Sequence, residues 1–317
     1  MTELGTNVEK AAELLRRGEL VAIPTETVYG LAANALSSDA VLKIYAAKGR
    51  PAFNPLIVHV RGAAEFSRYA EEVPELVMQL AAHFSPGPLT FVLKKKSNVP
   101  DETTGGGNSV ALRVPAHPMA LDLLHQLDFP LAAPSANPSG FISPVTAAHV
   151  ADQLGGLIPY VLDGGACSVG LESTVVAVQG DTITVLRLGG VKISDLQLAA
   201  PQATVVTSTT PAAASPGQLR SHYAPRTRLV LGNLDKLIQE HRSKKVAVLA
   251  LADLPPHQNI VAGAKLSPTR NLDEAARNLF ASLHRLDAAG AEIILAERMP
   301  EEGFGPAIND RLERASV

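Results

Sequence analysis

Apolar positions in this chain fall into short continuous runs separated by stretches with helical spacing. Leu20, Val21, Ala22 and Ile23 form the kind of run expected of a strand buried on both faces. It stops at Pro24, and Thr25, Glu26, Thr27 and Tyr29 crowd the strand's carboxyl end. Val41, Leu42, Ile44 and Tyr45 then recur at helical spacing, behind Ser37, Ser38 and Asp39 as helix-start residues and ahead of Gly49 as a stop. Pro51 and Pro55 bias Arg50 and Asn54 toward extended backbone. A strand resumes over 56–60 with His59 inside it. The pattern predicts a β-α-β unit whose connection presents Lys48, Arg50, Asn54 and His59; the plain alternative is a solvated basic loop.

The same patterning predicts helices over 1–18, 63–70, 74–84, 119–127 and 144–154, the last with Ser143 as N-cap and Pro144 at its first position. Strands are predicted over 89–93, 109–114, 130–133, 160–162, 173–178 and 182–186. The run 101–108, with three consecutive glycines, reads as a mobile loop. This mixed order makes residues 1–197 an α/β domain with a mixed twisted sheet. Residues 198–227 read as a linker: Ala, Thr, Ser and Pro dominate 198–217 without useful periodicity. Beyond it, strands over 228–231, 246–251 and 292–296 and helices over 234–240 and 272–289 predict a smaller C-terminal domain over 228–317. That domain is a β-α-β-α-β arrangement with a parallel, Rossmann-like sheet. Its strand ends carry few polar residues, so no second active site is expected there.

The chain has 317 residues, 46% of them apolar, which suits two domains with real cores. Its net charge of −3 argues against gripping nucleic acid by the phosphates. Lys94, Lys95 and Lys96 read as a solvated strand end. A single cysteine, Cys167, excludes an intramolecular disulfide and a zinc site built on several thiolates. No apolar run is long enough for a membrane helix and no signal pattern opens the chain, so a cytoplasmic protein without membrane contact is the simplest expectation.

Familiar nucleotide and metal signatures are missing: no GxxxxGK[ST], no GxGxxG after the first strand, no HExxH. Gly105 to Ser109 is by itself only a flexible turn. Residues 166–170 resemble a relaxed nucleophile elbow, but an elbow leads into a helix and the residues after Gly170 read as a strand. A hydrolase built on Ser168 or Cys167 is therefore set aside. What recurs instead is a hydroxyl or a cation beside a strand end: Thr27, Lys48, Arg50, Asn54, His59, Ser109, Arg113, Ser135, Asn137, Ser143, Ser173 and Arg187. Donors and positive charges gathered in this way suit a polyanionic ligand together with a carboxylate. A lone strand arginine such as Arg113 is more often a structural pair; the repetition of the habit is what points to a site.

At these residues the chain resembles the YrdC-type threonylcarbamoyl-AMP synthases in their long two-domain form. The matching segments are PTETVYGL at Pro24, KGRPAFNPLIVHV at Lys48, PGPLTFVL at Pro86, VALRVP at Val110, PLAAPSANPSG at Pro130, LESTVV at Leu171, VLRLGG at Val185 and SPGQLRSHYAP at Ser215. They run in order from Pro24 to Pro225, and the last distinguishes the two-domain members. The resemblance implies that L-threonine, bicarbonate and ATP give threonylcarbamoyl-adenylate and pyrophosphate, and that partner proteins pass the threonylcarbamoyl group to an adenosine of tRNA. It implies that Thr27, His59, Arg113, Ser173 and the backbone near Ala133 hold threonine. Lys48, Arg50, Asn54, Ser109, Ser135, Asn137, Ser143, Arg187 and Tyr223 would line the ATP site, with Tyr223 on a linker that acts as a lid. Mg²⁺ would sit chiefly on the phosphates, and no general base is identified. The competing reading is an RNA-binding module that uses the same basic face; it requires salt-sensitive tRNA binding without nucleotide.

Overall fold

A computed structural model describes residues 1–208 and 222–317. The chain divides into two compact units, one of Met1–Ser139, Pro144–Ser168 and Glu172–Gln218, the other of Gly140–Ser143, Val169–Leu171 and Leu219–Val317. Much of the expected linker, with most of the motif at Ser215, lies outside the described residues.

The first unit runs β1 (Glu3–Gly5), α1 (Val8–Arg16), β2 (Val21–Ile23), β3 (Gly30–Asn34), α2 (Ser38–Lys48), β4 (Ile57–His59), α3 (Phe66–Tyr69), α4 (Glu75–Phe84), β5 (Leu89–Lys94), α5 (Asp101–Thr104) and β6 (Ser109–Arg113). It continues with α6 (Pro118–Gln126), β7 (Leu131–Ala132), α7 (Ala147–Leu154), β8 (Tyr160–Leu162), β9 (Thr174–Gln179), β10 (Thr182–Arg187), α8 (Ile193–Ala199) and β11 (Thr204–Thr207). These strands form one mixed sheet in the order β1-β8-β2-β3-β7-β4-β6-β5-β9-β10-β11. Helices α1 and α6 cover part of one face, where Ala11, Ala12, Leu15, Leu123 and Leu124 pack on Val21, Ile23, Ala32 and Leu131.

Helix α2 forms as its sequence requires. The Ser37 side chain accepts from Ala40 N, and Gly49 closes the helix at φ 58°, a backbone that favours glycine. The expected β-α-β unit is replaced by something else: β3 intervenes and pairs antiparallel with β2, so Pro24 to Tyr29 is the loop of a hairpin. β3 is buried on both faces except at Asn34, which leaves no alternation to read. The N-terminal segment likewise begins with β1, paired to β8, and turns helical only at Val8, where Asn7 caps.

Three further expectations change. Residues 101–108 are anchored: α5 turns there, Thr103 Oγ1 donates to Ala35 O (2.8 Å), and Thr103 and Thr104 are buried. Gly105 is needed at this point, since a Cβ would lie 2.5 Å from Phe53 O. Helix α7 starts at Ala147, not Pro144; its cap is Thr146, which accepts from His149 N (3.2 Å), and Ser143 plays no capping part. Replacing Thr146 with Ala is expected to cost about 1 kcal/mol in a urea titration, the usual value of a lost hydroxyl cap. Finally, 193–207 is ordered: α8 is followed by β11, which extends the sheet parallel to β10.

The second unit contains β12 (Leu229–Leu231), α9 (Leu234–Glu240), β13 (Val246–Ala250), β14 (Ile260–Lys265), α10 (Leu272–Asp287), β15 (Ile293–Ala296) and α11 (Gly305–Ala315). Its sheet is parallel throughout, in the order β12-β15-β13-β14, with one strand more than its sequence pattern predicts. β14 has no readable pattern in sequence, because Ile-Val-Ala-Gly-Ala-Lys is apolar or small at every position but the last although its burial alternates. In parallel sheets the carboxyl ends of strands are where ligands bind. Here Glu297, after β15, spends its carboxylate on the backbone N–H of Leu251, after β13.

Candidate functional site

Register in the larger sheet brings most of the suspected residues onto one face. His59 lies opposite Arg113 in the β4–β6 pair. Phe91 lies opposite Leu112 in the β5–β6 pair, so Thr90 is one step further along, across from Arg113. Leu89 faces Thr174 and Thr90 faces Val175 in the β5–β9 pair, which puts Ser173 on the same side. Arg187 would fall on the opposite, core side if β10 kept its alternation, because Ile183 and Val185 are buried there. An irregularity between Val185 and Arg187 re-aims it, and Arg187 comes to pair with Val175. Its guanidinium then donates to Ser173 O (2.8 Å from Nη2) and to Ser173 Oγ (3.1 Å), while Ser173 Oγ also meets Thr90 Oγ1 at 2.7 Å.

Arg113 is held from three directions. Nε donates to Gly87 O (3.2 Å), and Nη2 donates to Glu26 Oε1 (2.5 Å) and Thr27 Oγ1 (3.0 Å). Among the described residues nothing bonds Nη1. Any grip of this residue on a ligand's carboxylate is therefore left to the two N–H donors of Nη1. Thr27 is placed by its own turn. Thr25 Oγ1 donates to Val28 O (2.6 Å), so its contact with Thr27 Oγ1 (2.8 Å) uses the proton of Thr27. Having given that proton and accepted from Arg113, the Thr27 oxygen can accept one bond more.

His59 is buried, and among the described residues its Nδ1 has no hydrogen-bond partner. Burial, with the Arg113 charge alongside, pushes its pKa down to about 3, against a smaller opposing pull from the Ile57 and Leu131 carbonyls. The imidazole is neutral at physiological pH. Ala133 lies beside β4 with its N–H given to Ile57 O (3.0 Å).

A second cluster sits where α2 ends. Lys48 is buried and its ammonium donates to the carbonyls of Ser135 and Asn137, in the turn after β7. Burial and the nearby Arg50 lower its pKa well below the ordinary lysine value. Arg50 curls onto its own connection: Nε reaches Asn54 O (3.2 Å) and Nη2 reaches Pro55 O (2.9 Å). Tyr45 OH ties the same connection to α5 through Asn54 O (3.1 Å) and Glu102 O (2.9 Å). The two ends of the loop, Arg50 and Asn54–Pro55, are thus buried and tied down, while Ala52 and Phe53 at its tip are exposed. Asn54 Nδ2 is buried without a hydrogen-bond partner among the described residues. Since Ile57 pairs with Ala111, Ser109 at the head of β6 lies beside Pro55. Four residues of strand, about 13 Å, separate Ser109 from Arg113 on one face. By contrast, Lys94, Lys95 and Lys96 are engaged locally with Glu71, Asp101 and the Ser67 carbonyl.

Two expected site residues belong to the second unit. The Ser143 carbonyl lies 3.1 Å from His284 Nε2. Tyr223 is buried, adopts a positive φ of 65°, and stacks its ring on Phe280 (centroids 5.6 Å apart) beneath the Arg311 guanidinium (5.5 Å). The lid expectation otherwise falls on 209–221, outside the described residues.

Two residues of the site escaped the sequence reading. Glu26 was visible as an acid between two threonines at a strand end, and the strand arginine Arg113 called for a partner. Thr90 gave no signal, since a threonine in a strand is ordinary. Cys167 is buried near Glu26, and burial with that charge raises its thiol pKa to about 12, which makes it a poor nucleophile.

Residues 13–189 match the Sua5/YciO/YrdC family model, described as telomere recombination, and residues 183–317 match a model described as threonylcarbamoyl-AMP synthase, C-terminal domain. A threonylcarbamoyl-AMP synthase of Pyrococcus abyssi is 40% identical over 96% of this chain and 93% of its own length. One from Bacillus subtilis is 38% identical over 99% of this chain and 95% of its own. The crystal structure of P. abyssi Sua5 complexed with L-threonine covers all of this chain and 97% of that one, at 38% identity and a TM-score of 0.90.

Proposed function

The chain belongs to the Sua5/YciO/YrdC family in its two-domain form, and we propose that it is a threonylcarbamoyl-AMP synthase, a cytoplasmic nucleotidyltransferase that makes threonylcarbamoyl-adenylate from L-threonine, bicarbonate and ATP. The observation that carries this reading is a single sheet face with two differently equipped ends. One end offers Arg113 Nη1, the Thr27 oxygen and a neutral His59. The other gathers Lys48, Arg50, Asn54 and Ser109 around the α2–β4 connection.

At the first end, Arg113 Nη1 takes the threonine carboxylate as a charge-assisted contact. Thr27 accepts from the amine, and the partnerless Nδ1 of His59 meets a polar group of the substrate. Ser173, locked between Thr90 and Arg187, offers its remaining capacity on the same side. At the second end, Arg50, Ser109 and Ser135 border the nucleotide, the Asn54 amide gains a partner, and Asn137 faces its phosphate side with Lys48; Arg187, beside Ser173, meets the phosphates from the first end. Ser143 and Tyr223 are assigned to the nucleotide by family likeness alone. A Mg²⁺ ion in this reading rides on the nucleotide's phosphates, since it dehydrates reluctantly and keeps few protein ligands.

The chemistry is then one of positioning among anions. Threonine's ammonium gives up a proton to solvent, the free amine bonds to the carbon of bicarbonate-derived CO₂ and sheds a second proton to become the carbamate, and a carbamate oxygen attacks the α-phosphorus as pyrophosphate leaves. Fixed cations oppose charge build-up on the transferring group, and proximity removes the entropy of bringing three reactants together. The adenylate is handed to tRNA-modifying partner proteins, a division of labour that suits a chain with net charge −3.

Pyrophosphate release from ATP is expected to require threonine and bicarbonate together. Release that proceeds equally well without threonine would refute the proposal, and salt-sensitive tRNA binding without nucleotide would favour the RNA-binding alternative.

A further inference from the structure

Among the described residues, Glu26 is the one buried carboxylate in contact with the Arg113 guanidinium. It reaches Arg113 from the β2–β3 hairpin loop, with Oε1 on Nη2 at 2.5 Å, while its Oε2 accepts from Ala116 N at 3.0 Å, in the turn after β6. Both side chains are nearly closed to solvent, 4% and 8% exposed. Two consequences follow from this arrangement. Pinned by Glu26, Thr27 and Gly87, the guanidinium cannot rotate, so only its Nη1 edge faces a ligand. The paired charges also sum to zero, and His59 beside them is neutral, so Arg113 adds no net charge to that end of the face; a cation remains at Arg187, turned onto Ser173.

We propose that Glu26 is a specificity-determining residue of the threonine subsite: by holding Arg113 edge-on and cancelling its charge, it lets the subsite take a zwitterionic amino acid and keeps out free anions. The inference rests on the threonine reading of this site. The need is physical. ATP, pyrophosphate and bicarbonate all occupy the same sheet face, and a bare buried arginine would attract each of them more strongly than a molecule of zero net charge. An arginine already neutralised offers directed N–H donors without a long-range field. The zwitterion's own ammonium, set against the Thr27 oxygen, supplies the balancing charge that a free anion lacks.

The test compares the affinities of the full-length protein for threonine and for inorganic phosphate competing with it. Wild-type pyrophosphate release is first shown to depend on threonine; failure at that step sinks the threonine reading itself, apart from any role of Glu26. E26Q keeps the shape and an acceptor for Ala116 N–H but removes the charge. Its threonine-to-phosphate affinity ratio is expected to fall at least tenfold, while E26D, which retains the charge, stays within about threefold of wild type. An unchanged ratio in a folded E26Q overturns the proposal, as does an equal fall in E26D. Should E26Q fail to fold, the wild type decides. Threonine's hydroxy-acid analogue, anionic because a hydroxyl replaces the ammonium, is expected to bind at least tenfold more weakly than threonine, and equal binding overturns the idea.

Discussion

Replacing Arg113 with Ala is expected to raise the threonine requirement for pyrophosphate release by about two orders of magnitude or more, the equivalent of roughly 3 kcal/mol of charge-assisted binding, while changing the ATP requirement no more than about threefold. Arg113 also has a structural partner, so the variant is expected to lose stability too. Glu26 would remain buried with its counter-ion gone, a situation that typically costs about 3–5 kcal/mol. The double variant R113A/E26A separates the two roles. With both charges removed, no unpaired ion is left in the interior, and much of the stability in a urea titration should return. The threonine requirement should not. Lys at position 113 is expected to be a poor substitute, because a point charge cannot reach Gly87 O, Glu26 and Thr27 at once. If single and double variants lost threonine and ATP affinity in equal measure, Arg113 would be a structural arginine and nothing more.

What could be read in advance, and what could not, follows from how burial hides pattern. α2 was legible because one face is apolar and both ends carry chemical stops, Ser37 and Gly49. β3 was not, because a strand buried on both faces has no alternation, and Gly-Leu-Ala-Ala-Asn offers none. Residues 101–108 looked like slack chain because glycine suggests freedom; here Gly105 is required by close approach to the Phe53 carbonyl, which makes the segment tight instead of loose. The connection 49–55 reads as stiff from its prolines, but that its cation Arg50 turns onto the Asn54 and Pro55 carbonyls was not legible, and Lys48 just before it turns onto carbonyls of Ser135 and Asn137 that arrive from far along the chain.

The same limit applies to the site. Single positions such as Arg113 and His59 stood out because polar groups inside strands are unusual. Their joint placement could not be read from spacing, since β4 meets β6, and β5 meets β9, only through crossovers. Arg187 is the sharpest instance. By alternation it belongs with Val185 on the core side, and only the irregularity in β10 delivers it to Ser173. Family likeness supplied the grouping that periodicity could not.

The burial of His59 ties stability to pH. In the unfolded chain the imidazole takes up a proton near pH 6.5, whereas in the folded protein it does so only at about 3. Above pH 6.5 both states are neutral and the residue contributes no pH dependence. As pH falls below 6.5 the unfolded state binds a proton that the folded state refuses, and stability is lost progressively until pH reaches about 3. At 1.36 kcal/mol per pH unit the loss attributable to this residue is about 2 kcal/mol at pH 5 and approaches about 5 kcal/mol at the lower limit. His59→Gln, which keeps a polar side chain but cannot titrate, is expected to remove that part of the slope in urea titrations at pH 7, 6 and 5. Because the folded imidazole stays neutral throughout, the wild-type threonine requirement should be flat between pH 6 and 8 as far as this residue is concerned. A stability slope equal in the two proteins would mean that His59 accepts a proton where it lies, and its neutrality in the proposed threonine subsite would have to be given up.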